Sequence, residues 1–144
     1  MKGIGFFKAG AIILIITGCL HTFGMVQEPI PENETEKTLL NLMNTYQMEL
    51  PGGEQLTMMD LYTFFNLNFA LFTFLTGVFN LWILKQGVAD SVIRKIMLWN
   101  ALLWALYLIP LYVFTFILPQ LFITLATVCF VTALIFNRKL EKPA

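Results

Sequence analysis

Of 144 residues, 58% are hydrophobic and 12% charged, and nine basic and nine acidic side chains cancel to a formal net charge of zero. Globular domains carry roughly a quarter charged residues, so this composition excludes an ordinary water-soluble domain. The lack of basic excess excludes an electrostatic nucleic-acid face, and the two isolated cysteines, Cys19 and Cys129, form neither a CxxC pair nor a metal-ligand cluster.

Four apolar stretches carry the composition: about 6–26, 61–84, 96–117 and 118–136. A helix crosses ~30 Å of hydrocarbon with about 20 apolar residues; the first three stretches meet this comfortably and the fourth is slightly short. Period-two alternation, which a membrane barrel needs, is absent. The expected fold is therefore all-α: an integral membrane antiparallel four-helix bundle, one membrane domain over 1–144, with an external segment at 27–60.

The first stretch contains "ITGCLHTFGM", Ile16 to Met25. Ile16-Thr17-Gly18-Cys19 satisfies a loose lipobox, but the residues after Cys19 stay apolar where a lipoprotein turns to a polar tether. A small cysteine inside a helix is the favoured reading. His21 is the only histidine and lies about five residues, ~7 Å, from the end of the span. An ionisable group at membrane depth is a functional candidate.

In the external segment, Pro29 and Pro31 end the first helix, and "ENETEKTLLNLMNTYQ" reads as a short amphipathic helix. Asn33 is its N-cap with Glu36 three residues on. Leu39, Leu42, Met43 and Tyr46 make one apolar face, expected on the membrane surface or over the mouth of the bundle. Asn33-Glu34-Thr35 is a glycosylation sequon that matters only in a secretory host. "PGGE" at Pro51 to Glu54 is a turn, and Thr57 with Asp60 opens the second span as a capping box. Pro110 lies inside the third span and is expected to kink it, freeing the carbonyl four residues back. Pro119 suits the first turn of the fourth, where the missing N–H costs nothing extra.

Small and polar residues mark the faces that helices turn toward one another. These are Gly10, Thr17, His21 and Gly24 on the first span, Asn66, Thr73, Gly77 and Asn80 on the second, Asn100 and Trp104 on the third, and Thr124 and Thr132 on the fourth. Together they predict a polar seam through the bundle. His21 is expected at its outer mouth, facing the second span, with Asp60, Glu54 or Tyr62 at matching depth and Asn66 one turn deeper. A His21–Asp60 pair would be the candidate catalytic unit, acting as a general base; His21, Tyr62, Asn66, Thr73 and Asn80 are the candidate ligand-binding residues. Met25, Met43, Met48, Met58 and Met59 gather near His21, a set that suits Cu(I) but is explained more simply by packing. No metal site is therefore assigned, and the cofactor is left unknown.

The stretches "HTFG" and "PENETEKTLLNLMNTYQMELPGGEQLTMMDLYTFFNLNFALFTFLTGVFNLWIL" resemble an uncharacterised family of small four-span bacterial membrane proteins. There an HT-G element ends the first helix, and N-E-T-E-x-x-L-L-x-L-M leads through T-M-x-D into the second. The resemblance covers His21 to Leu84; this chain has Asn66 and Asn68 where that pattern has serines. It implies a bacterial inner (plasma) membrane setting and four helices, and it carries no activity.

No P-loop, HExxH or nucleophile elbow is present. The leading expectation is a non-enzymatic membrane protein that binds or passes a small or lipidic molecule through the seam. The alternatives are a membrane enzyme using His21 with a carboxylate, or a structural subunit of a larger assembly. The bilayer is the expected partner, nucleic acid is not, and a small-molecule or lipid ligand and a second copy of the chain stay open.

Orientation follows from charge. Lys2, Lys8, Lys85, Arg94, Lys95, Arg138, Lys139 and Lys142 share one side of a four-span topology. Lys37 sits on the other with Glu28, Glu32, Glu34, Glu36, Glu49, Glu54 and Asp60. The positive-inside rule then places both termini in the cytoplasm. With Cys19 and Cys129 replaced, a cysteine at Glu34 should react with an impermeant maleimide from outside and one at Lys142 only after permeabilisation. Reaction of both from the same side would overturn the orientation.

Overall fold

The computed structural model describes residues 3–27 and 29–138. Lys2, Glu28, Lys139 and Lys142, with the side chain of Arg138, lie outside the described residues. The elements in order are α1 (Ile4–Val26), α2 (Glu34–Thr45), β1 (Gln47–Glu49), β2 (Gln55–Thr57), α3 (Met58–Lys85), α4 (Asp90–Phe114) and α5 (Ile117–Arg138). Four of the helices are long and apolar enough to cross a membrane. The fold is all-α apart from a two-stranded hairpin of three residues per strand: β1 and β2 pair antiparallel, Gln47 opposite Thr57 and Glu49 opposite Gln55.

The elements start and stop for local reasons. Asn33 accepts from the Glu36 amide at 2.9 Å while Glu36 reaches back to the amide of Glu32 at 2.7 Å, which opens α2. Thr57 and Asp60 form the expected capping box of α3. Between them the "PGGE" turn closes with Gly53 at φ +80°, a conformation that glycine adopts freely. The flanking hairpin was not legible as strand, because three residues per strand give too short a pattern. α4 begins at Asp90 rather than near Ile96. Its first turns are too polar for hydrocarbon yet helical, with Asp90 at the positive end of the dipole. It continues past Pro110 and ends at Phe114, where Thr115 folds both its amide and its hydroxyl onto the Leu111 carbonyl. Pro119 falls in the first turn of α5.

α1 packs between α3 and α5, and α4 lies beside α5, so neighbours are antiparallel around the ring. Small residues let backbones meet along α1. A Cβ on Gly77 would lie 2.5 Å from the Ala11 carbonyl oxygen, one on Gly18 2.7 Å from that of Ala70, and one on Gly10 2.9 Å from the Phe130 ring. The α3–α4 seam is made by large side chains instead: Phe72 against Trp104, Phe69 stacked on Tyr107, and an amide pair between Asn80 and Asn100. Phe7, Leu14, Met97, Trp104, Ile123 and Phe130 fill the centre. The outward surfaces are almost wholly apolar, as with Leu75, Leu106, Val113 and Ile135, which suits contact with lipid.

α2 and the hairpin cap one end of the bundle; the Gly87 turn, the start of α1 and the end of α5 lie at the other. The expected apolar face of α2 is split. Leu40 and Met43 turn toward the bundle, whereas Leu39, Leu42 and Tyr46 are exposed, because a single 12-residue helix resting on the bundle edge covers only part of its circumference. Gly24, placed above among the helix-packing residues, has nothing within 4 Å of a Cβ and faces open space.

Gly77→Val should destabilise the bundle by roughly 1–3 kcal/mol, the range for overpacking a close contact. Gly24→Ala should leave stability unchanged or raise it by up to about 1 kcal/mol through helix propensity. Reversible unfolding in mixed micelles measures both.

Candidate functional site

At the capped end the four-helix core gives way to a cavity of about 650 Å³. α1 supplies Thr17, Leu20, His21, Gly24 and Met25, at helical spacing along one face. α3 supplies Met59, Tyr62, Thr63, Asn66 and Phe69; α2 closes over with Leu40 and Met43. The fourth wall is Phe116 with Leu118, Pro119 and Phe122 from the α4–α5 link and the start of α5. Gln27 and Pro29 line it from the segment after α1, and among the described residues that line it none is Asp, Glu, Lys or Arg.

The polar centre of the cavity is a side-chain pair. His21 Nε2 lies 3.0 Å from Asn66 Oδ1, and Asn66 Nδ2 donates to the Tyr62 carbonyl one turn back at 2.7 Å. The Phe69 ring meets the imidazole edge-on, with centroids 4.7 Å apart. His21 is partly buried, so it is held on two sides and open on the cavity side.

Other candidates are placed differently. Asp60 is exposed and turned to Thr57, whose amide and hydroxyl it accepts at 2.9 and 2.7 Å. The His21–Asp60 pair is therefore not formed, because the capping box engages the carboxylate at the first turn of α3. Glu54 is exposed in the hairpin turn and does not line the cavity. Tyr62 borders the cavity through a largely exposed ring. Thr73 lies deeper and gives its hydroxyl to the Phe69 and Ala70 carbonyls. Asn80 is engaged with Asn100, 2.7 Å in one direction and 3.1 Å in the other. The polar seam is thus not continuous. Leu14 and Trp104, fully buried, stand between the His21–Asn66 and Asn80–Asn100 layers. Thr124 pairs with Tyr112 at 2.9 Å on the exposed side of the bundle.

Of the methionines, Met25, Met43 and Met59 line the cavity with His21, while Met48 and Met58 do not. Among the described residues no group of three or more His, Cys, Asp or Glu side chains could hold a metal ion. Cys19 sits in the middle of an unbroken α1, and the turns before it give Phe7, Ala11 and Leu14 to the core. Sequence reasoning missed Phe116, Leu118, Phe122 and Leu40. The near absence of a loop at "LPQ" was the available signal, since a tight link returns its flanking side chains to the same end of the bundle.

Comparison with protein-family models, with curated proteins and with solved structures finds no match to this chain. The class is set by architecture alone: an all-helical bundle with four helices that could span a membrane and a capped cavity at one end.

The His21–Asn66 bond should appear as coupling. In a double-mutant cycle of His21→Ala and Asn66→Ala, the interaction term should be about 0.5–1.5 kcal/mol, as for buried interhelical hydrogen bonds in membranes. Replacing Thr57 by Ala should cost about 1 kcal/mol for the lost cap and should leave that coupling unchanged.

Proposed function

We propose that this chain is a membrane-embedded binding protein that holds an uncharged small or lipidic molecule in the cavity at its capped end. The cavity itself carries the reading. Its volume of about 650 Å³ falls in the ~300–1,000 Å³ range of small-molecule sites. Its walls are largely apolar, with one fixed polar pair and, among the described residues, no charged side chain. Binding is favoured over passage, because Leu14 and Trp104 fill the bundle below the site. It is favoured over catalysis, because the partner of His21 is an amide, which cannot take up a proton as a carboxylate would.

In the same proposal the capped end faces outward. Lys8, Lys85, Arg94 and Lys95 gather at the opposite end, and Glu32, Glu34, Glu36, Glu49, Glu54 and Asp60 at the capped one. Exposed Trp82 and Trp99 suit the inner interface and Tyr62 the outer. A bacterial inner membrane is the setting that the sequence resemblance implies.

Gly24 offers a test that spares the fold. A large side chain there meets no neighbour within 4 Å of its Cβ and would enter the cavity. After gentle extraction, native mass spectrometry should find a retained organic molecule on the wild-type chain and none on Gly24→Trp, with unchanged thermal unfolding. Equal retention by both would remove the cavity from the binding role, and a bare wild-type chain would favour a structural subunit.

A further inference from the structure

We infer that the molecule held in this cavity carries an uncharged hydrogen-bond donor, an alcohol or phenol hydroxyl on an apolar body, which it gives to Nδ1 of His21. The inference rests on the proposed binding function and adds the chemistry of recognition. It starts from Asn66, whose Nδ2 is committed to the Tyr62 carbonyl at 2.7 Å. A carbonyl accepts only, so this bond fixes which end of the amide faces α1: the oxygen. That oxygen also only accepts, so at 3.0 Å from the imidazole it accepts a hydrogen bond from Nε2–H. A neutral imidazole that donates from Nε2 is an acceptor at Nδ1.

The protein does not answer that acceptor. Thr17, one turn along α1, gives its only hydroxyl proton to the Ile13 carbonyl at 2.8 Å, and Thr22 gives its own to Gly18 at 2.9 Å. No hydrogen bond to Nδ1 is made among the described residues. Rotating the ring to hide the nitrogen would break the Asn66 bond and the edge contact with Phe69. The result is one acceptor held in position on a largely apolar wall, whose other polar side chains are Thr17, Gln27, Tyr62, Thr63 and Asn66.

Such a site selects by what it leaves unpaired. A hydroxyl satisfies Nδ1, whereas an ether or alkyl group of the same size desolvates it and returns nothing, and sites built to meet a hydroxyl reject analogues lacking it far more strongly than apolar pockets reject a methylene. Phosphate, carboxylate and ammonium head groups are disfavoured, because among the described residues no opposite charge lines the cavity to offset their desolvation. The remaining walls, Leu20, Met25, Leu40, Met43, Phe116 and Phe122, suit a hydrocarbon body.

The probe is a diazirine analogue of farnesol, photolysed in liposomes holding the full chain and competed by farnesol or by farnesyl methyl ether. Labelling should fall on cavity residues, and farnesol should compete about tenfold better than the ether, the scale of one unpaired buried acceptor. His21→Leu should bring that ratio to about one, and His21→Gln, which keeps an acceptor, should restore part of it. Equal competition by alcohol and ether on the wild-type chain would overturn the donor inference while leaving the cavity as a binding site. A preference that survives His21→Leu would overturn the assignment to Nδ1. Labelling confined to the outer surface and insensitive to both competitors would overturn the binding function as well.

Discussion

The close approach of α1 to its neighbours is the contact on which the rest of the bundle depends. Gly18 and Gly77 put the backbones of α1 and α3 together in a way that no side chain would permit, and Gly10 does the same against Phe130 of α5. In lipid, where apolar surface gains little by leaving the solvent, helices are held by such packing and by interhelical hydrogen bonds. The approach is strongest along the lower and middle turns of α1. Above Gly18 the face continues as His21, Gly24 and Met25, which border open volume instead of a facing backbone. The cavity is the space left where the small-residue contacts stop.

The same constraint governs the polar groups inside. A hydroxyl or amide buried among helices in hydrocarbon has no water to turn to, so each needs a partner within the protein. Thr17, Thr73 and Thr127 bond carbonyls of their own helices; Asn80 and Asn100 bond each other; Asn137 donates to the Met97 sulfur. Among the described residues Trp104 Nε1 is the exception, buried without a partner. We have no physical account of it. Against this background the His21–Asn66 pair is distinctive: it is the interhelical side-chain bond that opens on a cavity, where the Asn80–Asn100 pair is closed by packing.

α2 connects the long segment between α1 and α3 to the site. Its N-cap at Asn33 and its acidic first turn favour a helix locally, and Leu40 and Met43 lay it over the cavity mouth. The exposed stripe of Leu39, Leu42 and Tyr46 lies on an adjoining face. One short helix thus presents apolar surface both to the site and to its surroundings. That arrangement fits a cover resting at the edge of a membrane-facing bundle.

What the sequence determined by itself was set by composition and by short-range chemistry. The four apolar stretches, the cap at Asn33, the capping box at Thr57 and Asp60, the turn at Pro51 to Glu54 and the place of Pro119 depend on neighbours within a few residues. The face carrying His21 and Asn66 was legible too, because helical periodicity aligns Thr17 with His21 and Asn66 with Thr73. Which of the plausible partners His21 takes could not be read, since Asp60, Tyr62 and Asn66 differ by only a turn or two of depth. The tertiary structure decided it by packing α1 against α3 so that Asn66 Oδ1 comes within 3.0 Å of His21 Nε2, while Asp60 stays in its local cap. It also broke the expected seam, because large side chains from α1 and α4, Leu14 and Trp104, meet in the centre where only the spacing of polar residues had been visible. The wall from Phe116 to Phe122 and the open space at Gly24 likewise arise from how separate helices end against one another, a long-range property that no local pattern encodes.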